Sequence, residues 1–412
     1  MTPLPNLPVA AWSAEVERRV PIPEAFLQAS VAVWGPRVYL LDGDGRLLIA
    51  DLQTETSRTV VLPVLLAEGA VSIAVDGDIV AVVTVRQKRA SGAPDALCHA
   101  AGTSMSWRVL TAHLDQIGLP SGTFTPLVQG TARRAFTYPQ GPPCTDVWAP
   151  LAAVAGARVF VAQEAPTKAR PWASTIGIYD LGSAGAPGAV GASEPAGTPT
   201  PTEGTARAVG SLAVSGVVVS LSAVPSLTVW VATTGDPPGP HGDEPAPTWN
   251  VGYAIGGSTI TSTVAGAAGP DQGWLPLPSA AADDGIIWWS AVPGHLGLGQ
   301  INPGALQQTF VAGDAPGATT SVPGLAALDC QLLGAGLGRA LASCRDPSDP
   351  AGDDFVPVVA GGGGAVQITD ASVFDPHVGQ GWLVWPVEQK AETGVDILTG
   401  VPTGYLIGPS GP

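Results

Sequence analysis

Lysine, asparagine and methionine are nearly missing from this 412-residue chain, at 3, 3 and 2 residues. Only 13% of residues are charged, and the formal net charge is −16. Such a chain has few cations with which to neutralise phosphates, which argues against nucleic-acid binding. Anionic membrane surfaces are disfavoured for the same reason. No apolar run reaches the ~18 residues a membrane-crossing helix needs, so no membrane insertion is expected. The opening Met1-Thr2-Pro3-Leu4-Pro5 lacks a basic n-region and an apolar h-region. Either a leader has been removed, or the protein leaves the cell without one, as a virion component released by lysis does. No segment sustains a 3.6-residue apolar period of helical length, which excludes a helical architecture. The one short helix expected is Pro23-Glu24-Ala25-Phe26-Leu27.

What is abundant is apolar residues (45%), Gly (53) and Pro (41). Period-two apolar runs of five to eight residues recur from end to end, bounded by turn formers. They group in fours. In the clearest group, Ala29–Trp34 and Arg37–Leu41 are followed by the turn Asp42-Gly43-Asp44-Gly45, then Arg46–Asp51 and Thr56–Leu62. Matching second strands begin near Ile79, Arg158, Leu227, Ile286, Arg339 and Gly381. The shortest spacing is ~42 residues, the length of a four-stranded propeller blade. The fold class expected is therefore all-β, a β-propeller of seven four-stranded blades. A pair of β-sandwiches or a two-domain β chain is the alternative. Residues 1–27 form an N-terminal segment whose Glu15–Ile22 stretch is placed to complete the last blade, beside Val395–Leu398 or Tyr405–Ile407. Residues 28–412 are read as one propeller domain, with 182–204 as a flexible Pro/Gly/Ala loop.

The run Val38-Tyr39-Leu40-Leu41-Asp42-Gly43-Asp44-Gly45-Arg46-Leu47-Leu48-Ile49-Ala50-Asp51, with Thr54, resembles the quinoprotein-like and YVTN-type propeller repeat. Gly156–Asp180 and Gly285–Gly304 look like degenerate copies. The resemblance implies the fold. It implies neither a quinone cofactor nor an activity, because this superfamily hosts unrelated roles. No cofactor is expected.

In such a blade, the loops joining strands two and three share a rim with the blade-to-blade connections. The long insertions fall there: 87–102, 131–145, 163–171, 235–247 and 345–353. Rigid scaffolds carry function on elaborated loops, so this rim is the expected binding face, unless the loops simply drift in length. Trp107, Trp172 and Trp249 sit just after insertions and His241 lies within one; these four are the candidate contacts. Core packing is the competing role for the Trp residues.

The four cysteines suggest two pairs. Cys98 and Cys144 fall in insertions on the same rim. Cys330 and Cys344 stand equally far from a turn at Leu337, opposite one another across a hairpin. Two disulfides would place the protein in an oxidising compartment; four small buried thiols are the alternative.

Catalytic and metal signatures are missing: there is no H-E-x-x-H, G-x-S-x-G, Cys-x-x-Cys or sialidase-type Asp box. No catalytic residue and no metal site is assigned. His241-Gly242-Asp243-Glu244 is read as a solvated loop rather than a metal site. Asp42-Gly43-Asp44-Gly45 lacks the Glu a calcium loop needs at its twelfth position, where Gln53 stands. Asp283-Asp284 and Asp353-Asp354 are read as turn residues. Beyond Ala206 there are four basic residues against 17 acidic ones, a balance suited to solubility or to basic partners. The leading expectation is a non-enzymatic extracellular, periplasmic or virion-surface module that binds a protein or glycan through the loop-rich rim. A structural virion or cell-envelope component comes second. A hydrolase or lyase with its site at the channel mouth comes third.

Overall fold

The computed structural model describes residues 3–26, 29–65, 67–88, 104–115, 120, 123–132, 149–165, 173–182, 206–234, 248–255, 259–268, 279–290, 306–312, 315–348, 355–361, 364–370, 373–387 and 396–406. Helix is confined among them to two single turns, Glu24–Phe26 and Thr403–Tyr405. Everything else regular is strand, arranged as seven four-stranded antiparallel sheets.

The first strand in the chain is β1 (Arg18–Ile22). Blade one is β2 (Ser30–Trp34), β3 (Arg37–Leu41), β4 (Arg46–Asp51) and β5 (Thr56–Val61). Blade two is β6 (Gly69–Asp76), β7 (Ile79–Lys88), β8 (Ser104–His113) and β9 (Thr125–Ala132). Blade three is β10 (Leu151–Ala155), β11 (Arg158–Glu164), β12 (Ala173–Asp180) and β13 (Arg207–Ser215). Blade four is β14 (Val217–Val224), β15 (Leu227–Thr234), β16 (Thr248–Ile255) and β17 (Thr259–Ala268). Blade five is β18 (Ser279–Asp283), β19 (Ile286–Ser290), β20 (Gln307–Ala312) and β21 (Ala315–Ser321). Blade six is β22 (Asp329–Gly336), β23 (Arg339–Arg345), β24 (Val356–Gly361) and β25 (Gly364–Gln367). The last sheet holds β26 (His377–Gly379), β27 (Trp382–Val387) and β28 (Asp396–Pro402), with β1 as its fourth and outermost strand.

This is a seven-bladed β-propeller. Period-two sequence gives each blade two apolar faces, and each face must be covered by a neighbouring blade. Seven buried clusters result, one in each gap between blades. Tyr39, Leu41 and Leu47 pack on Val80, Val82 and Leu110 between blades one and two. Trp288 packs among Cys330, Cys344 and Val358 between blades five and six. Trp385 fills the gap between blades six and seven with Leu341 and Val359. The last gap is filled by Val20 and Ile22 of β1, Val38 and Leu40 of β3, and Val384 and Leu398.

In blade seven Arg18 pairs with Gly400 and Ile22 with Asp396. The N-terminal stretch before β1 is also fixed. Ala10 N–H donates to the Gln367 carbonyl at 2.7 Å and Gln367 N–H to the Pro8 carbonyl at 2.9 Å. The Gln367 amide donates to the carbonyls of Leu4 (3.0 Å) and Leu7 (2.7 Å) and accepts from Leu4 N–H (2.6 Å). Leu4 and Leu7 are buried with the blade five/six core. The chain start thus straps the outer strand of blade six before entering blade seven.

All seven strand-one-to-strand-two hairpins are two-residue turns, from Gly35-Pro36 to Gln380-Gly381. At Leu337-Gly338, φ is +53° and +74°, the primed geometry that matches strand twist. These hairpins define the lower rim. Counted out from that turn Cys330 would meet Arg345, but a bulge between Leu332 and Gly334 shifts the register by one and sets Cys330 opposite Cys344; the two form a disulfide with Cα atoms 4.1 Å apart. Cys98 and Cys144 lie outside the described residues.

Candidate functional site

Strand alternation puts the opposite ends of the blades at the upper rim, where strands two and three are joined and where one blade leads to the next. Four of the connections between these strand ends are long, 89–103 after β7, 133–150 after β9, 235–247 after β15 and 291–306 after β19, whereas 42–45 and Gly216 are short links at the same rim. Most of these residues lie outside the described set. What is described is the rim they spring from. The exceptions on the lower side are 114–124 and 181–206, each between a third and a fourth strand.

At this rim, a cleft of about 420 Å³ opens between blades one and two, lined by Leu65, Glu68, Arg86, Arg108 and Gln129 among others. Its origin is in the strand pattern. Even-numbered positions of β7 face blade one; Val80 and Val82 do so with apolar side chains. Nearer the rim the same face becomes polar. Arg86 pairs with Ser106 and Ser106 with Thr131; Thr84 pairs with Arg108 and Arg108 with Gln129. The apolar inter-blade core therefore ends in a polar layer three strands wide.

The floor of the cleft is an ion pair. Arg108 donates through Nε to Glu68 Oε1 at 2.8 Å and through Nη2 to Glu68 Oε2. The two side chains are 13% and 4% exposed. Arg108 Nη2 also reaches the Pro63 carbonyl at 3.2 Å, and Leu65 N–H donates to Glu68 Oε2 at 2.8 Å. Burial alone would raise the Glu68 carboxyl, but the hydrogen bonds from Arg108 and Leu65 outweigh it and hold its pKa below the ordinary 4.5. The pair is self-contained. Arg86, at the mouth, is exposed and forms no ion pair among the described residues. The described lining thus carries one positive charge in excess.

Trp107, expected as a rim contact, is 4% exposed. It sits at an odd position, so its ring points away from the polar layer into the core between blades two and three. It lies across the ladder from Gly130, whose missing side chain makes room for it. Its ring is packing, not an open stacking surface. Trp249 lies in β16 opposite Thr233, at the upper rim. Trp172, His241 and the Trp249 side chain lie outside the described residues. Glu68, Arg86, Arg108 and Gln129 were not singled out from sequence. The signal was present as polar residues at alternating positions near the ends of β7, β8 and β9.

Acids at the inner strands are taken up by contacts between strands and blades. Asp76 accepts from Trp34 Nε1 (3.1 Å) in blade one and from Gly156 N–H (2.7 Å) in blade three. Asp283 accepts from Gly338 N–H in blade six at 2.6 Å. Asp329 faces Arg345 at 3.5 Å. Asp42 accepts from the N–H groups of Asp44 and Arg46, closing its own turn.

No family model and no curated protein sequence matches the chain. Solved structures do. The β-propeller domain of the trilobed protease from Pyrococcus furiosus aligns at TM-score 0.45 and 10% identity, over 93% of this chain and 96% of that one. YCF48 bound to D1 peptide aligns at TM-score 0.45 and 11% identity, over 99% and 100%. YCF48 from Cyanidioschyzon merolae gives TM-score 0.43 and 10% identity, over 94% and 99%. At these identities the fold assignment rests on the seven sheets themselves, and the quinoprotein-like membership implied by the repeat in blade one is not established.

Proposed function

We propose that the chain is a non-enzymatic binding module that recognises a protein or glycan through its upper rim. The observation that carries this is the charged cleft at the upper rim, where four of the six longest connections between strands also lie, against 114–124 and 181–206 below. Engagement of the inner-strand acids Asp76, Asp283 and Asp329 supports a binding role over catalysis. The Cys330–Cys344 disulfide supports an oxidising compartment, and so an extracellular, periplasmic or virion-surface setting.

The test uses printed glycan and peptide arrays with three variants. One joins Thr234 to Thr248 by Asn-Gly in place of 235–247, which their pairing permits. One is Arg86→Glu, and the lower-rim control is Arg158→Glu. Hits lost in an upper-rim variant and kept in the control support the reading. Hits lost only in the control, or no hits at all, contradict it.

A further inference from the structure

The cleft between blades one and two has a chemistry that selects its ligand. This inference rests on the upper-rim reading above. We propose that the cleft captures a carboxylate of an acidic peptide segment, an Asp or Glu side chain or a free C-terminus flanked by an apolar residue, with Arg86 as the charge-bearing contact.

The argument begins with the two arginines. Arg108 is spent: its guanidinium serves Glu68 and the Pro63 carbonyl. Arg86 stands one strand-repeat further out, exposed, with no ion pair among the described residues. A guanidinium presents paired N–H donors that match a carboxylate bidentately. The neighbouring polar positions add donors that suit the same anion. The Gln129 amide and the Thr131 hydroxyl are exposed on the same face, two residues apart on β9. Glu68 does not oppose the anion with a full charge, because Arg108 neutralises it at hydrogen-bond distance. The cation-rich lining is unusual in a chain of net charge −16, so the cleft is a local positive feature on an acidic protein.

The peptide class follows from the lip. Leu65 lines the cleft while 55% exposed, an apolar side chain left open to solvent at its edge. An apolar ledge beside a cation suits a segment that alternates an acid with an aliphatic or aromatic side chain. Among the described residues a sugar acid would meet no exposed aromatic ring there: Trp107 borders the cleft, but its ring is buried in the core.

The experiment selects random displayed peptides on the immobilised full chain, then measures binding of the synthesised best peptide by fluorescence polarisation. Enriched sequences should carry Asp, Glu or a free C-terminal carboxylate next to an apolar residue. Arg86→Gln should weaken that peptide at least ~10-fold, as loss of a charge-assisted contact does. Gln129→Ala should weaken it less, and the Glu→Gln peptide should lose as much as Arg86→Gln. Arg86→Gln changes an exposed side chain, and unchanged thermal unfolding of that variant confirms its fold. Peptides without an acid, an Arg86→Gln variant that binds equally well, or no enriched peptide at all would overturn the proposal. Arg86-dependent binding confined to uronate or sulfated glycans would overturn the peptide class. If selected peptides respond to removal of 235–247 but not to Arg86→Gln, this inference falls and the upper-rim reading stands. If they respond only to Arg158→Glu, both fall.

Discussion

Gly130 lies directly across the β8–β9 ladder from Trp107, and a methyl group on Gly130 would meet the ring atom Cζ2 at 2.5 Å. Gly252 stands in the same relation to Trp230 in blade four, with a contact of 2.4 Å. In both blades a bare strand position lets an indole lie flat on the backbone and fill the gap to a neighbouring blade. The ring and the glycine act as one unit.

Gly130→Ala should therefore destabilise the protein by ~1–3 kcal/mol through overpacking, despite the better strand propensity of Ala. Gly252→Ala should behave alike. At Gly43 nothing lies within 4 Å of the would-be methyl, so Gly43→Ala should stay within ~0.5 kcal/mol. Urea denaturation followed by tryptophan fluorescence checks all three.

Gln367→Ala should release the N-terminal strap. The side chain is buried and satisfies the Leu4 N–H and the Leu4 and Leu7 carbonyls. Leaving such groups unpaired costs ~1–3 kcal/mol each unless water reaches them. Hydrogen exchange should rise at Leu4, Leu7 and Ala10 while the blade-two strands are unchanged. Uniform acceleration everywhere would mean that the strap holds the whole ring.

The two contacts that fix the molecule's distinctive corners were invisible in sequence. Gln367 and Leu4 are 363 residues apart, and Glu68 and Arg108 are 40 apart. Period-two patterning tells which residues face a neighbouring blade, not which residue of that neighbour they meet. Local relations were legible for the converse reason. Cys330 and Cys344 sit on the two arms of one hairpin, which sequence proximity reveals, although the irregularity between Leu332 and Gly334, not the turn alone, brings them opposite. Strands starting at Ile79, Arg158, Leu227, Ile286 and Arg339 follow from the turn formers just before them. The Trp107 ring was misplaced because a one-residue step along a strand reverses the face, and proximity to a rim does not say which face is open.

Reduction of Cys330–Cys344, or the Cys330→Ala/Cys344→Ala double variant, should lower stability by ~2–3 kcal/mol, given a sequence separation of 14. Guanidinium denaturation with and without reductant gives the value. Peptide mapping under non-reducing conditions should recover the two cysteines in one linked species.

The Glu68–Arg108 pair should make stability pH-dependent on the acid side. The Glu68 carboxyl has a folded-state pKa below its unfolded value of 4.5. Its contribution is therefore complete above about pH 4.5 and is lost as pH falls through the depressed folded-state pKa. Glu68→Gln should flatten that acid limb and cost ~3 kcal/mol at neutral pH by leaving Arg108 largely buried without its counter-charge. Unfolding midpoints between pH 3 and 7 on wild type and variant decide it.

The most direct test of the upper rim as the working face is hydrogen–deuterium exchange of the full chain with and without the best selected acidic peptide. The account predicts protection in the segments that wall the cleft: Leu62–Leu65 and Glu68, Arg86 with Gln87, Ser104–Arg108, and Gln129–Ala132. Protection at the lower hairpins, Asp76–Ile79 or Gly336–Arg339, with the cleft unchanged, would contradict it.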